Sequence, residues 1–283
     1  MSSPGGTGFS GGIDMTSMRL ALAALMLLWT GPALAQGAAS GHYDHDSVHI
    51  VLSHVVALSQ DNAEGLLDHP HQIRVVLSDQ AVPVEALYGA IFPPVRAMAK
   101  RGELHGVMFE FDPADRTRIS ITPLAKPDDP SASLATISQS NSEGLWRQLT
   151  VTATSIAANY QDDDSGLTAT FSAPLASDPI TADLKGPAAQ SSEQTRVLIA
   201  RAEAMGHGDL TAAAALTARG ASDDMKAMPP EELKAISQQV GEMIRHFKAV
   251  KRVVVRQHTA VALLGEGESE SLVLEDGVWK VAD

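Results

Sequence analysis

The feature that most constrains this chain is a change of hydrophobic period near its middle. From Gln72 to Leu175 apolar residues recur at every second position, the spacing of strands that bury one face and wet the other. Val107, Phe109 and Phe111 alternate with Met108 and Glu110. Ile119 and Ile121 alternate with Arg118, Ser120 and Thr122, and Leu149, Val151 and Ala153 alternate with threonines. After Ser192 the apolar residues fall at three- and four-residue intervals, the spacing of one helix face. The fold class this implies is α+β: an antiparallel β-rich sheet or sandwich, then three helices and a small antiparallel sheet.

Local signals set the elements. Gln72 to Leu77 reads as a strand, and Val48 to Leu58 as a strand or a helix. Phe92-Pro93-Pro94 opens a helix that Gly102 stops. A hairpin joins Trp146–Tyr160 to Leu167–Ala173 through an Asp/Ser/Gly-rich turn. In the second part Ser192 caps a helix over Glu193 to Met205, and Asp209 caps an alanine-rich helix from Leu210 to Ala218 that Gly220 closes. Pro229 and Pro230 open the third helix, whose stripe is Leu233, Ile236, Val240, Met243, Ile244 and Phe247. Strands over Val253–Leu264, Glu270–Leu274 and Val278–Val281 follow, the last two joined at Asp276-Gly277.

These signals divide the chain into a leader at 1–35, a flexible histidine-containing terminus at 36–47, a β-rich domain at 48–175, a Pro/Ala/Ser linker at 176–191 and an α+β domain at 192–283. The leader has Arg19 ahead of the apolar run Leu20–Trp29, then Ala33-Leu34-Ala35, the pattern of a secretory signal peptide. That run is too short for a stable membrane span, which needs about 20 apolar residues. The expectation is export from a bacterial cell to the periplasm or medium, with cleavage near Ala35. The polar, Gly/Ser-rich stretch before it suggests a translation start at Met15 or Met18.

Composition removes several function classes. A formal charge of −13 disfavours nucleic acid, whose binding needs basic side chains to displace counterions. With no cysteine there are no disulfides, thiolate metal sites or thiol nucleophiles. The chain has no Gly-x-Ser-x-Gly elbow, no Ser-x-x-Lys, no Gly-rich phosphate loop and no dinucleotide fingerprint.

Gly208-Asp209-Leu210, the long third helix and the closing Glu275-Asp276-Gly277-Val278-Trp279-Lys280-Val281 together resemble the nuclear transport factor 2-like superfamily over residues 192–283. That resemblance implies a curved sheet folded around helices to leave a conical pocket, used for ligands, catalysis or dimerisation. No resemblance extends to residues 42–175.

Two sets of residues are candidates for chemistry. Met243, Phe247, Val255, Val261 and Leu263 would line a pocket of the C-terminal domain for a small apolar ligand or protein partner, with plain core packing the stronger alternative for each. Six of the ten histidines lie between His42 and His71, and His42, His45 and His49 with nearby aspartates would bind zinc or copper weakly. Asp162, Asp163 and Asp164 lack the distal glutamate of a calcium loop and read as a hairpin tip. The function expected is binding rather than catalysis, with no cofactor required and the oligomeric state open. The alternatives are a small hydrolase or isomerase working in the C-terminal cavity, with His246 or His258 facing it, and a metal-handling protein using the early histidines.

Overall fold

The computed structural model describes residues 37–45, 48–63, 65, 70–89, 93–127, 134–140, 142–226, 228–265 and 267–282. The expected leader at 1–35, and Asp46, Asp68, His69 and Phe92, lie outside the described residues. Gln36–Asp283 form one compact unit. The fold is mixed, with a nine-stranded sheet, a five-stranded sheet and helices packed mainly on the second.

The first sheet contains β1 (Gly37–His45), β2 (Val48–Asp61), β3 (His71–Ser78), β4 (Gly106–Asp112), β5 (Asp115–Leu124), β6 (Ile137–Ser140), β7 (Trp146–Val151), β8 (Ser155–Asp162) and β9 (Leu167–Ser177). Their spatial order is β6-β5-β4-β3-β2-β1-β9-β8-β7, with neighbouring strands antiparallel. Where β1 begins, β2 and β9 close directly on each other in parallel, pairing Ala57 with Leu175 and Ser59 with Ser177.

The residues that alternate in sequence build its inner core. Ile73, Val75, Phe109, Phe111, Ile119 and Ile121 join Tyr160, Phe171 and Trp146 in one buried cluster. β4 and β8 are five places apart, about 24 Å in a flat sheet. Yet the Phe109 and Tyr160 rings meet edge to face with centroids 5.1 Å apart, and Phe111 lies 5.2 Å from Trp146. The sheet is therefore curled on itself around an aromatic filling.

Residues 37–45 form a strand instead of the expected flexible terminus. The reason is backbone pairing on both sides, to β2 and to β9, helped by small residues that admit close approach. A Cβ built on Gly41 would lie 2.1 Å from the Thr168 carbonyl oxygen. Trp146 to Tyr160, expected as one strand, is broken at Thr152–Thr154, where Thr152 N–H donates to the Ser155 carbonyl and Ser155 N–H donates to Thr152 Oγ1.

The outer face of this sheet carries a second cluster. Leu58, Val76, Met108 and Leu124 pack against Leu87 in a 3₁₀ turn (Val84–Leu87) and against Val95 and Ala99 of α1 (Pro94–Lys100). Ala218 and Val273 from the later part of the chain complete it. Arg74, also on β3, is almost fully buried. Its guanidinium donates to the Leu87 and Gly89 carbonyls at 2.6 and 2.7 Å and pairs with Glu110 at 2.6 Å, so the charge is compensated where it is desolvated.

The second sheet runs β10-β11-β12-β13-β14, from β10 (Ile180–Lys185), β11 (Arg252–Arg256), β12 (Thr259–Gly265), β13 (Glu268–Glu275) and β14 (Val278–Val281). The helices are α2 (Pro187–Gln190), α3 (Glu193–Gly206), α4 (Leu210–Ala215), α5 (Arg219–Lys226) and α6 (Pro230–Lys248). Ser192 and Asp209 cap α3 and α4 as expected, accepting from Thr195 N–H at 3.2 Å and Ala212 N–H at 2.9 Å. Glu231 and Glu232 occupy the first turn of α6, with Arg245 and Lys248 in its last.

Several details differ from the sequence reading, among them a further helix, α5, that runs through Gly220, the residue expected to end the alanine-rich helix. The stretch expected as linker contributes β10, which pairs with β11 through Asp183–Val254 and Leu184–Val253, and then α2. The alanine-rich helix stops at Ala215 because the chain turns in to β14, where Ala218 N–H donates to the Val281 carbonyl at 2.7 Å. Val253–Leu264 splits into β11 and β12 at Gln257–His258, where buried Asp178 accepts from His258 N–H at 2.7 Å and from Thr259 Oγ1.

Candidate functional site

The last turns of α6 pack onto one face of the second sheet, where Met243, Ile244 and Phe247 join its core, while Ile236 packs with Met205 of α3 and Ala213 of α4. Phe247, Val253, Val255, Ala260, Ala262, Leu272 and Trp279 form the core under the helices. Beside the C-terminal part of α6 a pocket of about 450 Å³ opens against the β12–β13 hairpin. Met243, His246 and Phe247 line it from one helix face at i, i+3 and i+4, opposite Leu264, Gly267, Glu268, Ser269 and Glu270 of the β12–β13 hairpin. Its lining joins apolar Met243, Phe247 and Leu264 to acidic Glu268 and Glu270. His246 Nδ1 stands 3.8 Å from Glu268 Oε2, an ion-pair separation beyond hydrogen-bond length.

Of the five residues expected to line a ligand site, Met243 and Phe247 line this pocket. Val255 is buried in the core beneath. Val261 and Leu263 belong to the alternate positions of β12, between Ala260, Ala262 and Leu264, and face away from the helices. Of the two histidines expected near a cavity, His246 is at the rim. His258 instead lies flat against Tyr88, with ring centroids 5.0 Å apart and planes 9° from parallel. Burial, with the negative charges of Asp178 and Glu85, pushes the Tyr88 phenol far above its ordinary range, so this ring remains neutral.

The early histidines divide between two faces of β1. His42 and Asp44 share one, and Asp44 is register partner of His49 on β2. Asp44 contacts His49 Nδ1 and lies 3.5 Å from His42 Nε2. His45 projects with buried Tyr43, their rings 6.1 Å apart. His42, His45 and His49 are thus not brought to one point, and among the described residues no group of three or more His, Asp or Glu is arranged to hold a metal ion. Asp162, at the β8–β9 turn, accepts from Asp164 N–H and from Ser165 N–H and Oγ, which makes it a turn former.

One arrangement was not singled out from the sequence. At the junction of β2 with β9, Ser59 Oγ lies 3.0 Å from His71 Nε2, and His71 Nδ1 lies 2.7 Å from Asp61 Oδ1. Ser59 and Asp61 are two apart on β2 and share a face, and Asp61 is register partner of His71 on β3. The sequence signal is a Ser-x-Asp strand end and a histidine opening the next strand.

Among the described residues no helix is long and apolar enough to cross a membrane. No protein-family model matches this sequence, and no curated protein matches it.

Proposed function

We propose that this is an exported binding protein whose pocket between α6 and the β12–β13 hairpin takes a small ligand with an apolar body and a cationic head. The observation that carries the reading is the pocket's lining: Met243, Phe247 and Leu264 supply apolar contact, and Glu268 and Glu270 supply acceptors at the mouth. The overall charge of −13 favours a cation over an anion approaching it. The reading of a domain similar to the nuclear transport factor 2-like superfamily over 192–283 rests on the quoted motifs and on this helix-over-sheet pocket. Division into a β-rich part at 48–175 and an α+β part at 192–283 rests on each sheet having an apolar cluster of its own. Export, with cleavage near Ala35, rests on the leader pattern, and intact-mass measurement of the secreted form tests it.

A pocket this size and this open suits weak binding. A ligand of about 15 heavy atoms at about 0.3 kcal/mol each gains about 4.5 kcal/mol, a Kd of about 0.5 mM. Ligand-observed NMR with a hydrophobic aryl-alkyl amine, and with the alcohol and carboxylate of the same skeleton, separates the contributions. The amine is expected to bind at least several-fold more tightly than the carboxylate, and Glu268→Gln with Glu270→Gln should remove that preference. Equal binding of amine and carboxylate, or binding that survives Met243→Glu unchanged, rejects the pocket as the site.

A further inference from the structure

The Ser59–His71–Asp61 chain is built from chemistry the pocket does not use. A carboxylate only accepts hydrogen bonds, so the contact to Asp61 Oδ1 makes His71 Nδ1 the donor. In the neutral ring Nε2 is then the acceptor, and the Ser59 hydroxyl donates to it over 3.0 Å. A serine oxygen whose proton points at an imidazole, with that imidazole oriented by a carboxylate on its other nitrogen, is an activated nucleophile, and this constellation is recognised by geometry and role on unrelated folds.

We infer that Ser59 is the nucleophile, His71 the general base and Asp61 the positioning residue of an acyl-transfer site that hydrolyses short-chain carboxylic esters. The surroundings set the substrate. Ala57 and Ile73, the next residues along the same face of β2 and β3, are fully packed into the sheet interior. Packed side chains on that side disfavour a long acyl group. The outer side is open, with the His71 and Asp61 side chains 36% and 64% exposed. Water rather than a dry cradle therefore solvates the developing oxyanion, which favours esters with good leaving groups, such as aryl esters.

The reaction balances with water as the co-reactant. Ser59 Oγ bonds to the ester carbonyl carbon as its proton passes to His71 Nε2. The tetrahedral adduct then expels the alcohol or phenol oxygen, which takes that proton. Water attacks the acyl-serine, giving a proton to His71, the acyl carbon to Oγ bond breaks, and Ser59 recovers the proton. Ester and water become carboxylic acid and alcohol.

The test is labelling of the purified wild-type protein with a fluorophosphonate probe followed by peptide mapping, alongside p-nitrophenyl acetate hydrolysis. The label is expected on Ser59. Ser59→Ala and His71→Ala should each lower hydrolysis by about 100-fold or more. Asp61→Asn should lower kcat with KM little changed, and Asp61→Glu should recover part of it, a split that a strand-tying role would not produce. Absence of label from Ser59 in the wild-type protein overturns the proposal without any variant having to fold. Hydrolysis retained by a folded Ser59→Ala protein overturns it equally.

Discussion

The two sheets solve the same problem in opposite ways. The first curls until strands five places apart touch, and fills its interior with Phe109, Phe111, Trp146, Tyr160 and Phe171. The second stays open, sets alanines and valines under a long helix, and leaves a hollow between the last turns of that helix and the β12–β13 hairpin. Aromatic rings bury 150–250 Å² each, so a handful closes a curled sheet. Small aliphatic side chains let a helix approach closely yet cannot fill the gap at its end. Where the packing is complete there is no room for a ligand, and reactive groups stand only at the rim, as Ser59 and His71 do.

The contrast can be broken most forcefully at its filled end. Phe109 touches Trp146, Tyr160 and Phe171 and is fully buried. Phe109→Ala should destabilise the protein by about 3–5 kcal/mol in urea unfolding, because surrounding strands cannot collapse into the void. Leu264→Ala, at the pocket wall, should cost about 1 kcal/mol or less, since it enlarges a hollow that already meets solvent. Equal losses at the two positions would remove the distinction between a filled sheet and a hollow one.

Much of this contrast was legible in the chain. Period-two spacing gave β3, β4, β5 and β9, and the caps at Ser192 and Asp209 gave helix starts, because both depend on neighbours in sequence. What could not be read depends on distant pairing. β1 and β10 sit in segments too rich in glycine, alanine and aspartate to announce strands, and become strands only because other strands wait beside them. For the same reason Val261 and Leu263 were assigned to the pocket although Leu264 lines it: alternation is visible, but which phase meets the helix is not. The Ser59–His71 contact needs the β2–β3 register across a nine-residue connection, 62–70, which no local rule fixes.

An effect smaller than that of Phe109→Ala is expected at the contact between the sheets. Asp178 is 2% exposed and accepts from His258 N–H and Thr259 Oγ1, and its backbone N–H reaches the Ser59 carbonyl at 3.4 Å. Asp178→Ala leaves two donors without a charged acceptor in a buried place, and should lower stability by about 2–3 kcal/mol. It should also disturb the Tyr88–His258 stack, which near-UV circular dichroism reads. An unchanged urea midpoint would mean that the sheets do not depend on this carboxylate.

The least effect is expected from Asp183, on the exposed edge strand of the second sheet. The Arg252 guanidinium donates to it at 2.7 and 3.1 Å, and this bonding, opposed by slight desolvation and aided by the charges of Arg252 and Lys185, holds the Asp183 carboxyl below its ordinary value of 3.8. Arg252 also donates to the Ala63 carbonyl at 2.9 Å, so the pair ties β10 and β11 to the connection after β2. A carboxyl whose folded pKa is depressed stabilises the native state fully above the unfolded value, and that contribution fades as pH falls through the lower folded value. The difference in urea midpoint between wild type and Asp183→Asn should therefore be constant near neutrality and shrink below about pH 4. The pair is exposed enough for salt to screen it, so about 0.5 M NaCl should reduce the neutral-pH difference as well. A difference that persisted undiminished to pH 2 would assign the loss to packing of the substituted side chain rather than to the ion pair.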